Sequence, residues 1–134
     1  VQVRFMTLRA LCAAAAAALT IGGCAQAPPA PTGLMDVAAR PAEKALLAGI
    51  RAYEDAQYDV AESQLTTALQ TGLASPKDRA AAHKHLAFID CTSQRIAQCE
   101  AEFRLAREAD PAFELSRSEA GHPVWGPVYR KMQP

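Results

Sequence analysis

The fold is decided by residues 41–72, which read PAEKALLAGIRAYEDAQYDVAESQLTTALQTG. Proline occurs only at the first position of this stretch, where the first turn of a helix accepts it. Apolar residues recur every three or four positions and do not alternate, which predicts helices rather than strands. Asp59 begins an Asp-x-x-Glu capping box, and Gly72 is the residue type that commonly ends a helix. The stretch therefore predicts a helical hairpin, with helices over about 42–56 and about 59–70.

A second hairpin is expected to follow directly. Ser75 and Pro76 form a start signal, since serine caps helices and proline suits their first turn. The helix that begins there should end near Cys91. A fourth helix is predicted over about 94–109. Its buried face is expected to carry Ile96, Cys99, Phe103 and Ala106.

The two hairpins repeat one pattern at an offset of 38 residues. The aligned pairs are Gly49 with Ala87, Tyr58 with Ile96, Ala61 with Cys99, Leu65 with Phe103 and Ala68 with Ala106. Their spacing resembles the tetratricopeptide repeat (TPR), in which small residues let paired helices approach closely. The pattern predicts an all-α fold of two TPR-like helical hairpins. A generic helical bundle is the alternative.

Two such repeats are fewer than the three that usually bury a continuous core, so a covering element is expected. Ser116 and Glu119 form another capping box, and a short helix is predicted to restart at His122 and Pro123. This C-terminal helix is expected to cap the second hairpin. Trp125, the only tryptophan of the chain, either packs in that cap or serves as an exposed anchor for a partner.

The N-terminal region carries export signals. Two arginines precede an apolar run over residues 10–21, which is typical of a secretory signal peptide and too short to span a membrane. The run leads into Ile21-Gly22-Gly23-Cys24, which resembles the bacterial lipobox. The resemblance implies a cleaved signal peptide over residues 1–23 and a lipid on the thiol of Cys24. An ordinary signal peptide with an incidental cysteine is the alternative.

The remaining chain divides into a tether and a domain. Residues 24–40 contain three closely spaced prolines, which favour an extended polyproline conformation. We therefore expect residues 24–40 to link the anchor to a helical domain over residues 41–134.

Charge and motif content exclude several classes of function. The chain has 14 basic and 14 acidic residues, so it lacks the basic field that nucleic acid binding requires. His83 and His85 are two residues apart, about 200° around a helix, and make a poor metal-binding pair. The sequence contains no phosphate-binding loop, serine elbow or zinc-protease motif. We therefore expect no enzyme activity, no metal and no cofactor, apart from the covalent lipid on Cys24.

Cys91 and Cys99 are the two cysteines of the expected helical domain. They flank a turn between antiparallel helices, where opposite positions come close enough for a disulfide. An oxidising periplasm favours this bond. The alternative is a pair of small, buried side chains.

Several segments together resemble a known family. They are the lipobox, the prolines of the tether, residues 83–91 (HKHLAFIDC), residues 99–103 (CEAEF), residues 110–113 (DPAF) and residues 119–128 (EAGHPVWGPV). These segments resemble the TPR-containing lipoproteins encoded with bacterial type VI secretion systems, the TssQ type. The resemblance implies an accessory envelope component of the secretion machine. The lipobox resemblance, with Ala25 rather than aspartate after Cys24, implies anchoring in the outer membrane, with the domain facing the periplasm.

From the residues themselves we expect a lipid-anchored adaptor whose partner is another protein, with the membrane contacted through the anchor. The first helix of each hairpin would line the binding face. The candidate contacts are Arg51, Tyr53, Lys84, Phe88 and Trp125. The resemblance implies that the partner belongs to the secretion-system envelope, and the sequence sets no oligomeric state.

Two other functions stay open. One is a TPR lipoprotein of another outer-membrane assembly, such as a pilus or the machinery that inserts outer-membrane proteins. The other is a periplasmic lipoprotein that binds a small ligand or a peptidoglycan fragment.

Overall fold

A computed structural model describes residues 40–133. This part of the chain is all-α, as predicted, and no helix in it is long and apolar enough to cross a bilayer. The predictions for the signal peptide, for Cys24 and for the tether up to residue 39 lie outside the described residues. The helices are α1 (Pro41–Glu54), α2 (Tyr58–Thr71), α3 (Pro76–Thr92), α4 (Ile96–Ala109), α5 (Arg117–Ala120) and α6 (Gly126–Lys131).

The four long helices pair as two consecutive hairpins, α1 with α2 and α3 with α4, which confirms the predicted arrangement. The turns of the two hairpins share one backbone conformation. Ala56 in the first turn and Gln94 in the second both have positive φ, 58° and 62°. In each turn the next residue donates its backbone N–H to a carbonyl five residues earlier, at 2.8 Å. The 38-residue repeat is therefore present in the backbone as well as in the sequence.

Close packing within each hairpin depends on the small residues of the repeat. A Cβ added to Gly49 would lie 2.7 Å from the Cγ of Leu65, so α1 and α2 approach too closely for a side chain there. The equivalent pair of the second hairpin, Ala87 and Phe103, is fully buried. Because α2 also packs against α3, the two hairpins stack on one another.

Of the predicted boundary signals of α2 and α3, those at Gly72 and Ser75 are confirmed and the one at Asp59 is wrong. Gly72 ends α2 in the left-handed conformation, with φ of 99°, and the side chain of Ser75 caps α3. The capping role predicted for Asp59 is wrong, because α2 begins at Tyr58 and Gln57 occupies the N-cap without a side-chain hydrogen bond. Asp59 instead stands in the first turn, where a negative charge complements the positive end of the helix dipole.

The first residues of α2 and α4 are equivalent and exposed. The prediction that Ile96 lies on a buried face is wrong, since its side chain is 43% exposed. Tyr58, 38 residues earlier, is 42% exposed. In both hairpins the buried stripe of the second helix begins one turn later, at Ala61 and at Cys99.

The C-terminal segment contains the predicted capping box and a short helix. Ser116 and Glu119 form this box, which caps the N-terminus of α5. The last helix begins at Gly126 rather than at His122, because residues 122–125 form a turn whose first carbonyl accepts the Gly126 N–H at 2.9 Å. The short C-terminal helix is therefore confirmed, with a later start than predicted.

Helix α6 covers the second hairpin by packing against α4. Tyr129 of α6 is buried, and its ring centroid lies 5.3 Å from that of Phe103 in an edge-to-face arrangement. Its hydroxyl accepts a hydrogen bond from the backbone N–H of Leu115 at 3.1 Å. These contacts close the end of the short solenoid that the repeat alone leaves open.

Candidate protein-binding surface

A row of aromatic rings crosses from the first hairpin to the second. The ring centroid of Tyr53 lies 5.7 Å from that of Tyr58, 5.3 Å from that of His85 and 6.2 Å from that of Phe88. Helices α1 and α3 contact one another, which brings these side chains together. Tyr53 and His85 are half-buried, and Tyr58 is exposed. We call Tyr53, Tyr58 and His85 the aromatic row.

The environment of the aromatic row favours uncharged rings. Burial raises the pKa of the Tyr53 hydroxyl, and the neighbouring Tyr58 and Glu119 raise it further. Burial lowers the pKa of His85, whose Nδ1 lies 2.7 Å from the carbonyl oxygen of Ala81. Tyr53 and His85 therefore present flat, neutral rings with polar edges at neutral pH.

Phe88 belongs to the core rather than to the surface. Its side chain is 3% exposed, and its ring stacks on that of Trp125 with centroids 4.2 Å apart. The expectation that Phe88 contacts a partner is therefore corrected, because the C-terminal segment covers its ring. No signal in the helical periodicity could identify the covering residue, since Trp125 lies on a separate segment.

Trp125 is held between two rings. One face stacks on Phe88, and the other stacks on His122 with centroids 3.3 Å apart and planes 3° apart. The indole Nε1–H donates a hydrogen bond to the carbonyl oxygen of Glu119 at 2.9 Å. Of the two roles considered for Trp125, these contacts favour the cap.

Lys84 connects α3 to the C-terminal segment. Its Nζ donates to Glu119 Oε1 at 2.7 Å and lies 5.7 Å from the ring centroid of Phe88. The second carboxylate oxygen of Glu119 accepts the backbone N–H of Ser116 at 2.9 Å. Arg51, by contrast, is exposed on α1.

The contact between Glu119 and Lys84 is not predicted by the sequence pattern. Burial disfavours the charged form of Glu119, but the hydrogen bonds from Lys84 and Ser116 outweigh this effect and lower its pKa. The capping-box pattern predicts a contact for only one carboxylate oxygen of Glu119. The other oxygen is available for a residue distant in sequence, which the pattern does not identify.

Cys91 and Cys99 form the predicted bridge across the α3–α4 turn, with Cα atoms 5.2 Å apart. Arg95 in the same turn donates to Asp90 at 2.6 Å and to Glu62 of α2 at 2.7 Å. Burial raises the pKa of Asp90, although the hydrogen bond from Arg95 opposes this rise. The turn that the disulfide closes therefore also links the second hairpin to the first.

Two open hollows lie on the described part of the surface. One, of about 250 Å³, lies between the first half of α3 and residues 110–114. The other, of about 350 Å³, lies at the α1–α2 turn and is lined by residues 56–60. Within residues 40–133, no three histidine, cysteine or acidic residues are grouped as metal ligands. His83 instead pairs with Glu102 at 2.7 Å.

The arrangement is chemically suited to contact with protein side chains, because tyrosine and histidine offer apolar faces and hydrogen-bonding edges at once. The chain matches none of the protein families, characterised proteins or solved structures with which it was compared.

Proposed function

We propose that this protein is a lipid-anchored periplasmic adaptor and an accessory component of a type VI secretion system. The lipid on Cys24 would hold it in the outer membrane, with the helical domain facing the periplasm. The adaptor would bind another protein of the secretion envelope through the aromatic row. This role requires no catalytic step, metal or cofactor.

The observation that carries the binding role is the aromatic row. Tyrosine contributes a large contact area with few rotatable bonds, so ordering it on binding costs little conformational entropy. Ring contacts to His85 and Phe88 already orient Tyr53 in the free protein. Such preorganisation lowers the cost of association. The assignment to a secretion system rests on the sequence resemblance.

The shape of the surface supports a protein partner over a small ligand. Pockets for small molecules are typically about 300 to 1,000 Å³ and bury most of the ligand. The hollow beside Lys84 measures about 250 Å³ and the one at the α1–α2 turn about 350 Å³, and both are too open to solvent to bury most of a ligand. A partner that lies across the surface would make better use of the exposed Tyr58 and the half-buried Tyr53.

The function is tested by affinity isolation from detergent-solubilised membranes of bacteria that carry a type VI secretion system. We expect the tagged protein to recover a component of the secretion envelope. A Cys24→Ser form should leave the membrane fraction and recover less of that component, while its far-ultraviolet circular dichroism stays unchanged. Recovery of pilus or outer-membrane insertion proteins, or of a peptidoglycan fragment alone, would support the alternatives instead.

A further inference from the structure

We propose that the α1–α2 turn, together with Tyr58 and Val60, is a docking site for a basic segment of the partner that carries an apolar side chain. This inference rests on the proposed adaptor function and specifies the chemistry of the partner. We call residues 54–60 the acidic turn, because three carboxylates and two exposed apolar side chains lie within it.

Negative charge predominates around the acidic turn, with Arg51 one helical turn before it. No lysine or arginine occurs between Arg51 and Lys77, whereas this interval contains four carboxylates. Glu62 is paired with Arg95 at 2.7 Å. Among residues 40–133, no basic side chain forms an ion pair with the other three, which are Glu54, Asp55 and Asp59. A docked segment that supplies lysine or arginine would complement these charges.

The apolar part of the site lies beside the carboxylates. Tyr58 and Val60 are 42% and 49% exposed and stand in the first turn of α2, before its buried stripe begins at Ala61. Both side chains line the hollow of about 350 Å³ at this turn. Large exposed apolar side chains beside a hollow provide the pocket that an anchoring side chain needs.

Comparison with the equivalent turn of the second hairpin distinguishes this site from the rest of the surface. The equivalent turn of the second hairpin also exposes its first apolar residue, Ile96, at 43%. In that turn, however, Arg95 forms ion pairs with Asp90 and with Glu62 of α2, and the Cys91–Cys99 disulfide bridges the turn. The first turn has the same backbone conformation but unpaired negative charge. The docking chemistry is therefore specific to the first hairpin.

Charge also argues against two other occupants. A second copy of the chain would place one acidic turn opposite another in a symmetric interface, and like charges would repel. A bilayer containing anionic lipids would be repelled for the same reason. A basic segment is the occupant that the acidic turn attracts.

The test is photocrosslinking in living cells with the full chain. A photoreactive aromatic residue, p-benzoylphenylalanine, replaces Tyr58 in one strain and the exposed Gln70, at the other end of α2, in the control strain. We expect a crosslink from position 58 and none from position 70. Mass spectrometry of the crosslinked peptide should identify a segment with at least two basic residues near an apolar residue.

A matched pair of charge reversals tests the electrostatic part. Glu54→Lys and Glu108→Lys both add a basic residue in the last turn of a long helix, where it favours the helix dipole and should not impair folding. We expect Glu54→Lys to reduce the crosslink yield roughly fivefold and Glu108→Lys to change it by less than about twofold. Thermal melts confirm that both variants fold.

The outcomes separate this inference from the proposed function. A crosslink to a second copy, to lipid or to an acidic segment would overturn the inference. So would equal yields for the two charge reversals. A third strain carries the photoreactive residue at the exposed position 51 of α1. A crosslink to a secretion component from position 51 but not from position 58 would overturn the inference and leave the adaptor function standing. If neither position 51 nor position 58 gives a crosslink, the result counts against both the docking site and the adaptor function.

Discussion

The indole ring of Trp125 stacks on the phenyl ring of Phe88, with centroids 4.2 Å apart and planes 21° apart. This contact joins the last segment of the chain to the first helix of the second hairpin. It explains how two repeats can form a closed core: the C-terminal segment provides the apolar surface that a third repeat would otherwise supply. It also leaves the aromatic row as the open part of the same ring cluster.

The stack predicts a large loss of stability in Trp125→Ala. Removing the indole exposes Phe88 and deletes the hydrogen bond to Glu119, so we expect the free energy of unfolding to fall by about 3 kcal/mol. Urea denaturation followed by circular dichroism measures the change. Val124→Ala is the control, because Val124 is exposed and its truncation should cost less than about 0.5 kcal/mol. Equal effects of the two changes would contradict the account.

The two turns predict a gain in stability from glycine. Ala56 and Gln94 adopt left-handed backbone conformations that cost side-chain-bearing residues about 1 kcal/mol. Ala56→Gly and Gln94→Gly should each raise the free energy of unfolding by up to about 1 kcal/mol. Ala97→Gly, on the exposed surface of α4, should lower it by a similar amount. Loss of stability in both turn variants would mean that the turns do not share this conformation in solution.

The disulfide predicts a redox-dependent stability. Cys91 and Cys99 are eight residues apart, and closing so short a loop stabilises a fold by about 2 to 3 kcal/mol. Adding a thiol reductant should lower the unfolding midpoint of the wild type. The Cys91→Ala/Cys99→Ala variant should start lower and show no response to the reductant. A wild type that does not respond would contradict the presence of the bond.

The Lys84–Glu119 pair predicts a specific pH dependence. The pKa of Glu119 is lowered in the folded protein, so its contribution is present above the ordinary value of 4.5 and is lost as the pH falls through the lowered pKa. The raised pKa of Asp90 acts in the opposite direction and partly hides this loss in the wild type.

A Lys84→Met variant isolates the pair, because Asp90 titrates in both proteins. We expect the variant to be less stable by about 1 kcal/mol at pH 7 and the difference to shrink as the pH falls through the lowered pKa of Glu119. Urea denaturation between pH 3 and pH 7 measures it. A difference that is independent of pH would show that Lys84 acts only through its packing over Phe88.

Much of the fold was predictable from local signals. The spacing of Gly49, Ala61 and Leu65 predicts the close hairpin, and Gly72 and Ser75 predict the boundary between the repeats. These signals act within one or two helical turns, so they can be recognised in a single sequence. The capping box at Ser116 was found for the same reason.

The site was less predictable because it depends on contacts between distant segments. The periodicity of α3 places Phe88 on the same face as Lys84, yet only the fold shows that Trp125 covers one and Glu119 binds the other. The exposure of Tyr58 and Ile96 was also missed, because apolar spacing does not reveal where the buried stripe of a helix begins.

The central claim is that the aromatic row binds a protein partner. The most direct test is the dissociation constant of the complex between the helical domain and the secretion-envelope component recovered by affinity isolation, measured with purified proteins. The measurement compares the wild type with Tyr58→Ala and with Leu105→Ala, a truncation of an exposed leucine on α4. We predict that Tyr58→Ala weakens binding about tenfold or more while Leu105→Ala leaves it unchanged. Equal dissociation constants for all three proteins would contradict the claim.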